Sequence, residues 1–197
     1  MKLLGIQLKK PNRLVGGALR AFRGDGVPLQ ALIASSAGLL VLLWPRKTAK
    51  LDYIDTATRD RWYGPIRYVP APMSGNPEGI QITNDFASKN IIRKEFPIIG
   101  LASIHRLAAP SLEKALREIK AKGWADKIRS FEGGYYPRFV RNSTTNLSSH
   151  SYGKSIDINA GTNPQYGKPT PNQEDIAPIF ERNGWYWGNR FSNPDPM

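Results

Sequence analysis

Between Asp25 and Arg46 the chain runs for twenty residues, Gly26 to Pro45, without one charged side chain. Its centre, Leu29 to Trp44, is dominated by Leu, Ile, Val and Ala. As a helix rising ~1.5 Å per residue, such a run spans roughly 30 Å, the thickness of a bilayer's hydrocarbon core. Six basic residues precede it (Lys2, Lys9, Lys10, Arg13, Arg20, Arg23) and three follow (Arg46, Lys47, Lys50). The positive-inside rule then predicts a cytoplasmic N-terminus and an exported remainder, with the ring of Trp44 at the far interface. A cleaved signal peptide fits less well, because the basic region is long and no small-x-small cleavage site follows. Gln30, Ser35, Ser36, Gly38 and the flanking prolines support a different reading, a buried helix or hairpin of a soluble protein or assembly.

The charge balance has to be read along the chain. The net charge is +12, from 28 Lys plus Arg against 16 Asp plus Glu. Residues 1–50 hold nine of the basic residues and one acid, so +8 sits there and 12 − 8 = +4 is left for the other 147 residues. A nucleic-acid-binding protein would spread its charge over the folded body with stacking aromatics among it. Here the excess frames an apolar run, and no nucleic-acid partner is expected. The chain has no cysteine. Disulfides, thiolate metal sites and cysteine nucleophiles are thereby excluded.

The chain divides into a basic N-terminal segment (1–25), the apolar run (26–45), a connector (46–75) and a domain (76–197). Pro45, Pro65, Pro70, Pro72 and Gly75 punctuate the connector around Trp62-Tyr63-Gly64. In the domain, Pro110 to Gly123 predicts a helix: Pro110 suits a first turn, and Leu112, Ala115, Leu116 and Ile119 form an i, i+3, i+4, i+7 stripe. Glu113 and Arg117 pair at i, i+4, and Gly123 is a stop signal. Short strands are expected at 128–131 and 155–159, which makes the class α+β, a small antiparallel sheet with packing helices.

The stretch Asn146 to Ala160 is where chemistry could reside. On a strand, Ile156 and Ile158 face one side while Ser155, Asp157 and Asn159 face the other, so the isoleucines can enter a core while Asp157 faces a cleft. His150 lies seven residues before Asp157, across a turn that Gly153 permits. An imidazole and a carboxylate so delivered are plausible ligands of a catalytic zinc ion, which takes three protein ligands and leaves a fourth position for water. A loop histidine bonded to backbone would have the same spacing. His105, just before the predicted helix, reads as a helix-flanking residue without a catalytic role.

The pattern Ser148-x-His150-x-x-Gly153-x-Ser155-x-Asp157-Ile158-Asn159 resembles the signature of the zinc D-alanyl-D-alanine carboxypeptidases. That family includes VanY/VanX-like enzymes and the L-alanyl-D-glutamate endopeptidases of phage endolysins. Ser155 stands where the family usually has alanine. Upstream, Phe131 to Ser143 resembles the segment that supplies a substrate-facing arginine. Downstream, Gly184-Trp185-Tyr186-Trp187-Gly188 followed by Asp195-Pro196-Met197 resembles the family's closing motif. The resemblance covers roughly residues 76–197 and implies the fold shared by these peptidases and hedgehog-like domains.

It also implies roles. His150 and Asp157 would be zinc ligands, Asp195 the general base, Arg138 or Arg141 the group that polarises the scissile carbonyl or holds a carboxylate, and Ser148 a support orienting the site. A third ligand, a histidine, is expected directly after Met197. With two ligands alone zinc would bind weakly. The function implied is a zinc-dependent peptidase cutting peptidoglycan stem peptides in wall remodelling, phage lysis or virion entry. The alternative is a non-catalytic wall-binding or virion module that keeps the fold. Peptidoglycan is the expected partner, and residues 1–45 could contact a membrane or virion subunits. The expected location is membrane-anchored, with the catalytic domain on the periplasmic or extracellular side, or else within a phage virion.

Overall fold

Leu112, Ala115, Leu116 and Ile119 are all fully buried, so the periodic stripe does form the inner face of a helix. The computed structural model describes residues 6–8 and 56–197, and the apolar run 26–45 lies outside them. In chain order the elements are β1 (Ile6–Leu8), α1 (Thr56–Tyr63), β2 (Tyr68–Pro70), β3 (Ile80–Ile82), α2 (Phe86–Asn90) and β4 (Ile91–Phe96). There follow β5 (Gly100–His105), α3 (Ala109–Ala121), β6 (Phe131–Gly133), β7 (Ser155–Ile158), α4 (Pro171–Arg182) and β8 (Trp185–Tyr186). The class is α+β with short antiparallel sheets and packing helices. Among the described residues no helix is long and apolar enough to cross a membrane.

The sheet that carries the site has the order β6-β7-β1-β8, antiparallel throughout. Residues 6–8, which the sequence placed in a basic N-terminal segment, are a strand of this sheet: Ile6 pairs with Ile156, and Gln7 with both Ser155 and Tyr186. Two hairpins stand apart from it, β2–β3 and β4–β5, the latter in register from Ile91↔His105 to Phe96↔Gly100.

Two apolar cores hold the elements together. The larger packs α3 and α4 against the sheet through Ile104, Leu116, Ile156, Ile158, Phe180 and Trp185. Burying a side chain of this size stabilises by about 1.5–3 kcal/mol, so α3 and α4 are held chiefly by this layer. The smaller core gathers Tyr63, Ile80, Phe86, Phe139, Leu147 and Tyr152. Tyr63 belongs to the stretch read as a connector. Residues 56–75 are therefore part of the folded body, because α1 buries Arg59 and Tyr63 in it.

Two further differences have local causes. The expected strand at 128–131 begins only at Phe131, because the N–H groups of Arg129 and Ser130 donate to the Asn159 side-chain oxygen (2.7 and 3.2 Å) instead of a strand ladder. Helix α4 has no counterpart in the sequence reading. Thr170 caps it by accepting from the Gln173 N–H, Pro171 occupies its first turn, and Ile176, Ala177, Ile179 and Phe180 supply its buried face. Pro178 inside the helix hides that periodicity.

Candidate active site

The turn that carries His150 is built by its own sequence. Ser148 is extended, and its hydroxyl accepts the His150 N–H at 3.3 Å, which starts the 3-10 turn Ser149–Tyr152. Gly153 ends that turn in the left-handed region, φ 60°, with its N–H donating to the His150 carbonyl at 2.9 Å. A Cβ on Gly153 would lie 2.7 Å from the His105 nitrogen, so glycine is required twice over, for its torsion and for its space. The chain then enters β7. Ile156 and Ile158 go into the larger core, while Asp157 lines a cavity of about 790 Å³ together with His150.

His150 is 3% exposed, and its Nδ1 lies 2.9 Å from the Gly134 carbonyl. A carbonyl only accepts, so Nδ1 carries a proton, and in the neutral ring Nε2 presents a lone pair. That Nε2 is 3.4 Å from Asp157 Oδ2, and neither it nor Asp157 Oδ1 has a hydrogen-bond partner. Two buried acceptors facing each other without a donor between them are costly. A divalent cation would satisfy both. An imidazole fixed through its other nitrogen by a backbone carbonyl is also the usual support of a metal-ligating histidine. The donor pair therefore fits a zinc-type ion. Among the described residues no group of three or more His, Cys, Asp or Glu side chains is placed to hold a metal.

Both candidate arginines line the same cavity, in different states. Arg138 is buried, and its main chain is clasped by the site turn: its N–H donates to Ser151 Oγ at 2.9 Å, and its carbonyl accepts from Ser151 Oγ (2.7 Å) and from the Ser148 N–H (2.9 Å). Burial pushes its guanidinium pKa down, and the Asp157 carboxylate pulls it back up. Arg141 is half-buried. Glu78, Glu132, Tyr135 and Tyr136 also line the cavity, and no sequence motif had singled them out.

The closing motif folds onto itself. Trp187 Nε1 donates to the Pro196 carbonyl at 3.0 Å, the Asp195 N–H donates to the Gly188 carbonyl at 3.0 Å, and the Tyr166 N–H donates to the Pro194 carbonyl at 2.9 Å. These bonds lead Met197 to the cavity wall. Asp195 is fully buried and is not among the cavity's lining residues.

His105 is a core residue. It is fully buried, its Nδ1 accepts the Leu107 N–H at 3.1 Å, and its Nε2 donates to the Tyr63 carbonyl at 3.3 Å. Burial, reinforced by the charge of Lys154, lowers its pKa to about 4. Lys154 went unnoticed in the sequence. It is 4% exposed, its ammonium sits 4.2 Å above the Tyr63 ring, and burial lowers its pKa to about 7. A lysine among motif residues carries no sequence mark that separates it from a solvated one.

The family model described as D-alanyl-D-alanine carboxypeptidase matches residues 141–197. The match takes in Arg141, Ser148, His150, Asp157 and Asp195, and it stops short of Arg138. No curated protein and no solved structure matches the chain. The similarity supports a peptidase of the kind that acts on peptidoglycan.

Proposed function

We propose that this protein is a zinc-dependent peptidase that hydrolyses a peptide bond in the stem peptides of bacterial peptidoglycan. The observation that carries this reading is the His150–Asp157 pair, two buried acceptors without a donor on the wall of a cavity shared with two arginines. It lies inside the segment similar to D-alanyl-D-alanine carboxypeptidases. His150 Nε2 and Asp157 would hold the ion, with Gly134 fixing the imidazole. Zinc, when bound, supplies a Lewis acid that polarises a carbonyl and acidifies water.

The chain's own groups do the rest. Arg138 is the better preorganised of the two arginines, being buried with its main chain clasped, and it holds the oxygen on which negative charge develops. Arg141, nearer solvent, takes an outer carboxylate of the substrate. By the family resemblance Asp195 is the group that would take the proton from the attacking water and return it to the leaving amine, so that water is added across the C–N bond, although its carboxylate is buried outside the cavity lining. Ser148 sets the His150 turn. This chemistry serves wall remodelling, lysis or virion entry alike.

A second reading, a wall-binding module without catalysis, draws on the absence of a three-ligand group among the described residues. One experiment separates the two. Full-length protein is assayed for zinc content and for release of products from purified muropeptides. The peptidase reading expects about one zinc per chain and cleavage, with both lost in His150→Ala. Protein that sediments with cell walls but binds no zinc and releases nothing establishes the second reading.

A further inference from the structure

Helix α1 sends two neighbouring side chains to the segment that carries His150. Arg59, 2% exposed, donates from Nη1 to the Leu147 carbonyl at 2.5 Å. Asp60 accepts a hydrogen bond from the Tyr152 hydroxyl. Leu147 directly precedes Ser148, and Tyr152 stands two residues after His150. The two bonds therefore grip both ends of the stretch 147–152.

The bonds inside that stretch give it a shape but do not fix where it sits. Besides the His150 Nδ1 bond to the Gly134 carbonyl and the packing of Leu147 and Tyr152 in the smaller core, two sets of hydrogen bonds tie it to its surroundings. One comes from the segment around Arg138, through the Tyr136 N–H donating to the His150 carbonyl (3.0 Å) and through Ser148 and Ser151. The other comes from α1. Burying a guanidinium costs several kcal/mol unless its bonds repay it, and an apolar residue at position 59 would join the smaller core without that cost. The arginine is thus an expensive way merely to pack a helix, and a well-suited way to hold a carbonyl at a set point. Holding matters because the His150 Nε2–Asp157 distance depends on where the turn is seated, and ordering a free loop costs about 1–2 kcal/mol per residue.

We propose that Arg59 and Asp60 are positioning residues for the metal centre, gripping Leu147 and Tyr152 so that His150 is held facing Asp157. The inference rests on the peptidase reading for its purpose, but its geometry can be tested separately. Full-length wild type is compared with Arg59→Ala, Arg59→Lys and Tyr152→Phe, by amide hydrogen exchange and by zinc affinity measured against a chromophoric chelator.

In Arg59→Ala and Tyr152→Phe the amides of residues 148–153 should exchange at least about tenfold faster, with those of the β4–β5 hairpin unchanged. Zinc affinity should fall about 10–100-fold. Arg59→Lys, which keeps a cationic donor, should recover most of both. Tyr152→Phe removes one hydroxyl and keeps the ring, so it carries the test if Arg59→Ala does not fold. Exchange within twofold of wild type at residues 148–153 would overturn the proposal, and so would a uniform acceleration that includes β4–β5. Wild type that binds no zinc would refute the peptidase reading, while the exchange pattern would still judge the grip.

Discussion

Replacing Lys154 by methionine should make the protein more stable at neutral pH, although it removes a charge and adds no contact. The ammonium is 4% exposed and lies over the Tyr63 ring, and burial brings its pKa from 10.5 to about 7. A folded pKa below the unfolded one means that the unfolded chain binds more protons between the two values, so stability rises with pH across that window. At pH 7 the folded group is half protonated, and the penalty left is about 1.36 × (3.5 − 0.3), or about 4 kcal/mol. Lys154→Met, of similar length and apolar, should therefore gain up to about 4 kcal/mol at pH 7. The assay is urea unfolding at half-unit steps from pH 6.5 to 9.5. The upper limit keeps clear of Tyr63, whose pKa burial raises above its ordinary 10. Wild-type stability should climb across this range, while that of Lys154→Met stays nearly flat. Equal slopes in the two proteins, or a variant less stable at both ends, would refute the reasoning.

Two further perturbations test the scaffold. His105, with a pKa of about 4 against 6.5 unfolded, imposes a penalty that grows as pH falls through that interval, up to about 3 kcal/mol. His105→Asn should flatten the acid limb of a urea-stability profile between pH 6.5 and 4, and an unchanged limb would place the acid sensitivity elsewhere. Gly153→Ala puts a Cβ 2.7 Å from the His105 nitrogen and 2.9 Å from Ile91 Cδ1 at a positive φ, and should cost about 2–4 kcal/mol in urea unfolding. A loss under 1 kcal/mol would show that the turn can relax at little cost.

Local periodicity made α3 and β7 legible in the sequence: α3 buries one apolar face, and β7, buried throughout, alternates apolar Ile156 and Ile158 with polar Ser155 and Asp157. The same holds for the His150 turn, where Ser148 and Gly153 act within five residues of each other. Where a proline stood inside a helix, as at Pro178, the period was masked and α4 was missed. A side chain that replaced a strand partner, as Asn159 does, shifted β6 by three residues from its expected start. The least legible parts are the non-local bonds. Arg59 to Leu147 and Tyr152 to Asp60 join positions 88 and 92 residues apart, and no spacing rule reaches across such gaps. Of the candidate site, the His–Asp pair and the arginines could be read from a motif. Glu78, Glu132, Tyr135 and Tyr136 joined them only through the cavity.

Strand β1 sits between β7 and β8. Hydrogen-bonded neighbours in one sheet occupy one compartment. Residues 6–8 and residues 155–158 therefore stand on the same side of any bilayer the protein meets. A single crossing by residues 26–45 would leave β1 on one face and its partners on the other, and the sheet could not close.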